Sequence, residues 1–211
     1  MLLRDARAMT TQGGEKRWYD SLLALPVLIL VLQYFCFSFV WYFYVTWLPL
    51  YLREARHVGE VEAAELAMLP LLFGGFGSLV AGFAAVRVSR RKIAFFGFLC
   101  SAMLLFAVTK IGSTRVAMLA MGLASFCSDL TMPISWNACV EIGRRYTATV
   151  SGAMNMLGNL AGFVAPVSSG FILSRASGDW NALIYLMVGA SLIAATCWLF
   201  LDPRDQVRGT I

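Results

Sequence analysis

Long apolar segments dominate this sequence and set the first limit on its fold. A helix needs about 20 consecutive apolar residues to cross the roughly 30 Å hydrocarbon core of a bilayer. Six such segments follow one another along the chain, at about Leu22–Leu52, Ala63–Val86, Ile93–Ile111, Thr114–Ile142, Thr147–Leu173 and Trp180–Leu201. They are continuously apolar and do not alternate, which indicates helices and not the shorter strands of a membrane barrel. The sequence therefore predicts an all-α membrane protein with six transmembrane helices.

The composition excludes several classes of function. Of the 211 residues, 59% are hydrophobic and 14% are charged, and a soluble domain of this size cannot bury so large an apolar fraction. A soluble enzyme, a disordered regulator and a nucleic-acid-binding module are therefore excluded. No HExxH, Walker, GxSxG or CxxC pattern occurs, and the five cysteines all lie in apolar segments. We expect no enzymatic activity, cofactor, metal or nucleic-acid partner; the surrounding partner is the lipid bilayer.

The distribution of basic residues predicts the orientation in the membrane. If the N-terminus is inside, the cytoplasmic segments hold 12 of the 17 Lys and Arg residues and the opposite side holds 5. This bias follows the positive-inside rule and places both termini in the cytoplasm of a multi-pass protein of the inner (plasma) membrane. We expect residues 1–20 to form a cytoplasmic segment, residues 21–202 the six-helix transmembrane domain, and residues 203–211 a cytoplasmic tail.

Asp129 is the strongest departure from an apolar membrane anchor. It lies about halfway along the fourth segment, where insertion of a carboxylate costs roughly 2.5–3.5 kcal/mol. Hydrocarbon favours the neutral form of a carboxyl group, so Asp129 is a candidate proton-coupling residue. The alternative is a neutral acid that bonds to another helix and has only a structural role.

Prolines and glycines also interrupt the segments. Two prolines, Pro70 and Pro166, lie in the second and fifth segments, and two more, Pro49 and Pro133, lie in the first and fourth. Each is predicted to kink its helix, either to shape a packed bundle or to open a polar cavity. Gly158 and Gly162 have the spacing that lets two helices approach closely. Close packing explains this spacing, and contact with a substrate is the alternative.

Polar and aromatic side chains near Asp129 are candidate substrate ligands. Ser135 and Trp136 follow the proline of the fourth segment, and Asn155 and Asn159 lie one turn apart in the fifth. An amide in hydrocarbon needs a partner, so Asn155 and Trp136 either bind a carboxylate or hydroxyl group or bond to another helix. The aromatic run of the first segment is typical of an interfacial belt; its members most expected to face a cavity are Tyr44 and Tyr42.

Three segments resemble a known family. Trp41–Leu52 (WYFYVTWLPLYL), Asp129–Gly143 (DLTMPISWNACVEIG) and Thr149–Gly162 (TVSGAMNMLGNLAG) resemble the major facilitator superfamily. More narrowly, they resemble its anion:cation symporter family, which includes hexuronate, galactonate, phthalate and sialic-acid type transporters. The first segment resembles the end of the family's seventh helix, and the third resembles its eleventh.

The resemblance implies the C-terminal six-helix half of a twelve-helix fold, with residues 1–20 as a remnant of the central loop. It implies substrate-facing roles for Ser135, Trp136, Asn155 and Tyr44, whereas the usual coupling acids and the anion-binding arginine belong to the N-terminal half. The implied function is secondary active transport of a small organic anion, such as a sugar acid, by symport with protons and by alternating access.

A half of this fold supplies one wall of a site between two halves. We therefore expect it to pair with a separately encoded N-terminal half or with a second copy of itself. The alternatives are an inactive gene fragment and a non-transporting membrane scaffold or regulatory subunit.

Overall fold

The computed structural model describes residues 22–201, and the regular secondary structure of this part of the chain is helical. The predicted cytoplasmic segments 1–20 and 203–211 lie outside the described residues. Eight α-helices occur within the described range: α1 (Leu25–Thr46), α2 (Leu48–Glu54), α3 (Glu60–Arg87), α4 (Arg90–Val108), α5 (Thr114–Asp129), α6 (Met132–Gly143), α7 (Thr147–Arg175) and α8 (Trp180–Phe200). A 3₁₀ turn, Arg144–Tyr146, joins α6 to α7.

Five helical stretches of the described range are long and apolar enough to cross a membrane. Four are α1, α3, α4 and α8, and the fifth is the 62-residue stretch Thr114–Arg175. That stretch is not one straight rod, because α6 and α7 pack against each other and Arg144 between them has a φ of 46°. The chain is therefore a multi-pass membrane protein. Its predicted fourth and fifth segments follow each other as α5, α6 and α7, joined only by short turns.

Two of the predicted kinks are complete breaks. Pro49 lies in the first turn of α2 and Pro133 in the first turn of α6, so each proline begins a new helix. The first turn tolerates proline because its N–H groups have no partner inside the helix. The single helices predicted over Leu22–Leu52 and Thr114–Ile142 are therefore wrong in this respect: the first is interrupted at Trp47, and the second after Asp129.

The other two prolines remain inside their helices, as predicted. Pro70 lies within α3 and Pro166 within α7. They are the two longest helices of the described range, at 28 and 29 residues. Each helix continues past its proline although the proline has no N–H group to donate. Helix α3 packs against α5, and α7 packs against α1.

Glycines bring α3 and α4 into backbone contact with the end of α5. A Cβ atom on Gly77 of α3 would lie 2.3 Å from the Phe126 carbonyl oxygen, and one on Gly97 of α4 would lie 2.5 Å from the Cys127 carbonyl oxygen. No side chain fits at these distances. Between helices in lipid there is no hydrophobic driving force, and close van der Waals packing at small residues stabilises their contact instead. The last turn of α5 is packed in this way from two sides.

A buried amide joins three helices. Gln33 of α1 is completely buried; its Nε2 donates to Ser135 Oγ of α6 at 3.0 Å, and its Oε1 accepts from Trp198 Nε1 of α8 at 3.2 Å. Ser135 Oγ in turn donates to the Thr131 carbonyl oxygen at 2.9 Å. We call the hydrogen-bonded group Gln33, Ser135 and Trp198 the Gln33 node. The side chains around it form an apolar cluster, so the node is a polar link that holds α6 against α1 and α8.

We expect Gln33→Leu to lower the free energy of unfolding by about 2 kcal/mol, because it leaves the buried Trp198 N–H without an acceptor. Unfolding with sodium dodecyl sulfate in mixed micelles, followed by tryptophan fluorescence, measures this quantity. The control is Thr196→Val on α8, since Thr196 is exposed and bonds only to its own helix. Equal stability of the two variants would contradict a stabilising role for the node.

Polar contacts close the two ends of the bundle. At one end Arg90 pairs with Glu141, which links α4 to α6, and Arg91 donates to the carbonyl oxygens of the last turn of α8. At the other end Arg56 donates from Nη1 to the Ile111 carbonyl oxygen at 2.7 Å and from Nη2 to the Val108 carbonyl oxygen at 3.2 Å. Basic side chains thereby satisfy carbonyl groups that the helix ends leave open.

Candidate functional site

A cleft of about 230 Å³ opens between α1, α7 and the break that separates α5 from α6. Helix breaks leave backbone polar groups that a polar cavity can satisfy, so the position of the cleft follows from the break. The side chains that line it come from all three elements: Tyr34, Phe37, Ser38, Trp41 and Tyr42 from α1, Asp129 and Met132 from the break, and Asn155, Gly158 and Asn159 from α7.

Asp129 is the last residue of α5 and contributes the carboxyl group of the cleft. Its side chain is buried, and its Oδ2 accepts a hydrogen bond from Ser125 Oγ at 3.0 Å. A Cβ atom on Gly74 of α3 would lie 2.7 Å from Oδ2, so the backbone of α3 covers the carboxyl group from behind. Within residues 22–201, Asp129 is the one charged residue of the cleft lining. The carboxyl group thus accepts a hydrogen bond at one oxygen, and the lining that residues 22–201 contribute to the cleft holds no basic side chain.

Two asparagines of α7 supply amide groups to the opposite wall. Asn159 is already engaged: its Nδ2 donates to the Asn155 carbonyl oxygen at 2.8 Å, and its Oδ1 accepts from the Tyr42 hydroxyl at 3.3 Å. The side-chain amide of Asn155 is exposed and makes no hydrogen bond to any residue in the range 22–201. It therefore offers a free donor and a free acceptor to a molecule in the cleft.

The glycine spacing of α7 serves packing, as one of the two sequence interpretations predicts. A Cβ atom on Gly158 would lie 2.7 Å from Cε1 of Tyr34, and one on Gly162 would lie 2.5 Å from Cζ of Tyr42. Each glycine thus receives the ring of one tyrosine of α1. Because both tyrosines and Gly158 also line the cleft, the packing and the shape of the cleft are set by the same contacts.

Three residues of the predicted substrate set lie behind the cleft lining. Ser135 is buried in the Gln33 node, and Tyr44 is buried between α1 and α5 with its hydroxyl 3.5 Å from the Met121 carbonyl oxygen. Trp136 is half-buried, and its ring meets the Tyr34 ring edge-on at 6.0 Å between centroids. The structure therefore brings Asp129 and Asn155 into one cleft, with Trp136 supporting its wall.

Two features of the sequence point to further polar residues at and behind the cleft. Tyr34, Ser38 and Tyr42 recur every four residues, which places them on one face of α1; this spacing is visible in the sequence. Gln33 is an amide inside an apolar segment, and the argument that selects Asp129 and Asn155 also selects it. Trp41 is exposed at the rim of the cleft, and nothing in its sequence context separates it from the interfacial aromatics.

Comparison with known proteins gives a family. Residues 30–210 match the Major Facilitator Superfamily. The probable sulfoacetate transporter SauU of Cupriavidus necator is 30% identical over 179 residues, which cover 80% of this chain and 41% of the relative.

Two further relatives carry sugar acids in their names. The probable galactarate/D-glucarate transporter GudP of Escherichia coli is 27% identical over 177 residues, covering 79% of this chain and 39% of the relative. The hexuronate transporter of Bacillus subtilis is 24% identical over 201 residues, covering 90% of this chain and 47% of the relative. The chain thus spans less than half the length of these relatives.

Proposed function

Because this chain belongs to the Major Facilitator Superfamily, we propose that it forms one half-shell of a secondary active transporter for a small organic anion, such as a sugar acid. The observation that carries the proposal is the cleft in which Asp129, Asn155 and the tyrosines of α1 meet. The relatives named above are anion and sugar-acid transporters by name, which supports the substrate class. The aligned regions of these relatives cover between 79% and 90% of this chain.

We propose that the chain crosses the inner membrane six times with both termini in the cytoplasm. In this topology α1 with α2 makes the first crossing, α5 with α6 the fourth, and α7 the fifth. The positive φ of Arg144 and the packing of α6 on α7 support two separate crossings within Thr114–Arg175. The break after Asp129 then falls near the bilayer midplane, where transporters of this architecture bind their substrates.

The chemistry of the cleft suits the uncharged part of a sugar acid. Amide and phenol groups exchange hydrogen bonds with hydroxyl groups, and the rings of Tyr34 and Tyr42 offer flat apolar surface to the carbon skeleton. The lining contributed by residues 22–201 has no basic side chain. We propose that the positive charge that an anion needs comes from outside residues 22–201, either from an N-terminal half of the transporter or from a second copy of this chain.

Asp129 is the proposed proton-coupling residue. A bare carboxylate in the cleft repels an organic anion, whereas the protonated group does not and can donate a hydrogen bond to it. Protonation of Asp129 and binding of the anion therefore favour each other, which is the coupling that symport requires. Rocking of the two halves around the site would carry both across the membrane.

Uptake into membrane vesicles tests the proposal. We expect vesicles that contain the chain and a matching N-terminal half to accumulate labelled D-glucarate when the outside is made acidic, and to lose this uptake when a protonophore is added. Vesicles with the chain alone distinguish a homodimer from a two-gene transporter. Absence of uptake of any organic anion in both preparations, together with copurification of a larger membrane protein, would favour the scaffold alternative.

Asn155→Ala should raise the KM for anion uptake about tenfold, because it removes a free hydrogen-bonding amide from the cleft, and such a bond to a ligand is worth roughly 1.4 kcal/mol. The matched control is Asn137→Ala, since Asn137 is an exposed amide of α6 outside the cleft lining. Concentration dependence of initial uptake rates gives both KM values. An unchanged KM for Asn155→Ala would remove Asn155 from the substrate site.

A further inference from the structure

We propose that Gly158 and Gly162 of α7 are positioning residues that determine the size of the anion accepted by the cleft. They act through the rings of Tyr34 and Tyr42, whose distance from α7 they set. The proposal rests on the function proposed above, because it assumes that the cleft is the substrate site.

The first support is the closeness of the two rings to the backbone of α7. A methyl group on Gly158 would lie 2.7 Å and 2.9 Å from Cε1 and Cδ1 of Tyr34, and one on Gly162 would lie between 2.5 Å and 2.9 Å from three atoms of the Tyr42 ring. These distances are below van der Waals contact. The rings therefore occupy positions that are available only because α7 has no side chain there.

The second support is that the cleft is the open space next to both rings. The Tyr34 ring has Trp136 at 6.0 Å and Phe37 at 5.8 Å between ring centroids, and the Tyr42 ring has Trp41 at 5.3 Å. Trp136 lies outside the cleft lining, whereas Phe37 and Trp41 belong to it. Both tyrosine rings already line the cleft, which holds about 230 Å³ of open space, so we expect a ring that is displaced from α7 to move into it.

The third support is the contrast with other glycines of the same helix. A Cβ atom on Gly152 would have no atom within 4 Å, and one on Gly170 would touch Trp47 only at an ordinary 3.8 Å. Among the four glycines of α7, only the two that face tyrosines of the cleft are crowded. A requirement for small residues along the whole helix would not produce this pattern.

A methyl group at either crowded position should narrow the cleft and discriminate against long substrates. We expect Gly162→Ala to raise the KM for D-glucarate about tenfold, because the displaced ring takes space that the long substrate needs, and to change the KM for the shorter sulfoacetate by less than about twofold. Gly152→Ala is the matched control and should change neither value. An equal rise for both anions would overturn the proposal, because it would indicate general damage to the fold.

Chemical labelling tests the same geometry without transport. Asn155→Cys places a thiol in the cleft, and none of the five native cysteines is exposed. We expect Gly158→Ala or Gly162→Ala to slow its reaction with a water-soluble maleimide about tenfold, and Gly152→Ala to leave the rate unchanged. Because no substrate is involved, a failure of the transport proposal leaves this result interpretable.

Removal of the displaced ring distinguishes a steric effect from misfolding. The double variant Gly162→Ala with Tyr42→Ala should regain the labelling rate of Asn155→Cys, since no ring remains to be pushed into the cleft. A double variant that still labels slowly, or single glycine variants that label as fast as the parent, would overturn the proposal.

Discussion

Gly77→Ala should lower the free energy of unfolding by about 3 kcal/mol, at the upper end of the usual cost of overpacking. The added Cβ would lie 2.3 Å from the carbonyl oxygen of Phe126 and 3.1 Å from its carbonyl carbon. Both atoms belong to the backbone of α5 and cannot rotate away as a side chain does. Relief requires that α3 and α5 separate, which also loosens the cover that α3 places over the carboxyl group of Asp129.

The same helix supplies a control for which the opposite sign is expected. Gly75 and Gly82 are exposed and have no atom within 4 Å of a Cβ position. Alanine at either site should raise the free energy of unfolding by up to about 1 kcal/mol, because alanine favours the helix over glycine. Unfolding with sodium dodecyl sulfate in mixed micelles compares the three variants. A Gly77→Ala protein as stable as Gly75→Ala would contradict the close approach of α3 and α5.

Asp129→Asn should abolish proton-driven accumulation of the anion. A proton gradient equivalent to 100 mV is worth about 2.3 kcal/mol for each proton, or about fiftyfold accumulation. Asparagine has the size of a neutral carboxyl group and can still accept the hydrogen bond of Ser125, so folding and binding should persist. We therefore expect exchange of labelled for unlabelled anion to continue in this variant while concentration against a gradient is lost.

Asp179→Asn is the matched control for Asp129→Asn. Asp179 lies outside the cleft and caps the start of α8 by accepting a hydrogen bond from the Asn181 backbone N–H at 2.9 Å. Asparagine caps a helix as well as aspartate does, so proton-driven uptake should be unchanged. Measurement of accumulation at several external pH values decides the question. If Asp129→Asn accumulates the anion with the parental pH dependence, proton coupling does not run through Asp129.

The helical segments were predictable because each one meets the bilayer requirement within its own residues. The ends of the second, third, fifth and sixth segments differ from α3, α4, α7 and α8 by a few residues at most. The breaks at Trp47 and after Asp129 were signalled by Pro49 and Pro133, but a proline in a sequence is compatible with both a kink and a new helix. The hydrogen bonds of the surrounding chain choose between these outcomes.

The sequence singled out Asp129 and Asn155 as candidate site residues for a related reason. A carboxyl or amide group in hydrocarbon is costly wherever it points, so its presence already indicates a partner or a cavity. The sequence could not assign the partner. Ser135 is bonded to Gln33, 102 positions away in the chain, and this pairing exists only when α1 and α6 lie side by side.

Local chemistry of the chain thus established a multi-pass helical protein with a carboxyl group and amides in its spans, since the bilayer imposes its cost on every segment separately. The packing of the helices against one another determined which polar side chains line the cleft together. Gly158 and Gly162 fix the rotation of α1 against α7, which turns Tyr34 and Tyr42 toward Asn155 and leaves Tyr44 facing α5. Rotation of a helix about its own axis depends on contacts with its neighbours, and no single segment contains that information.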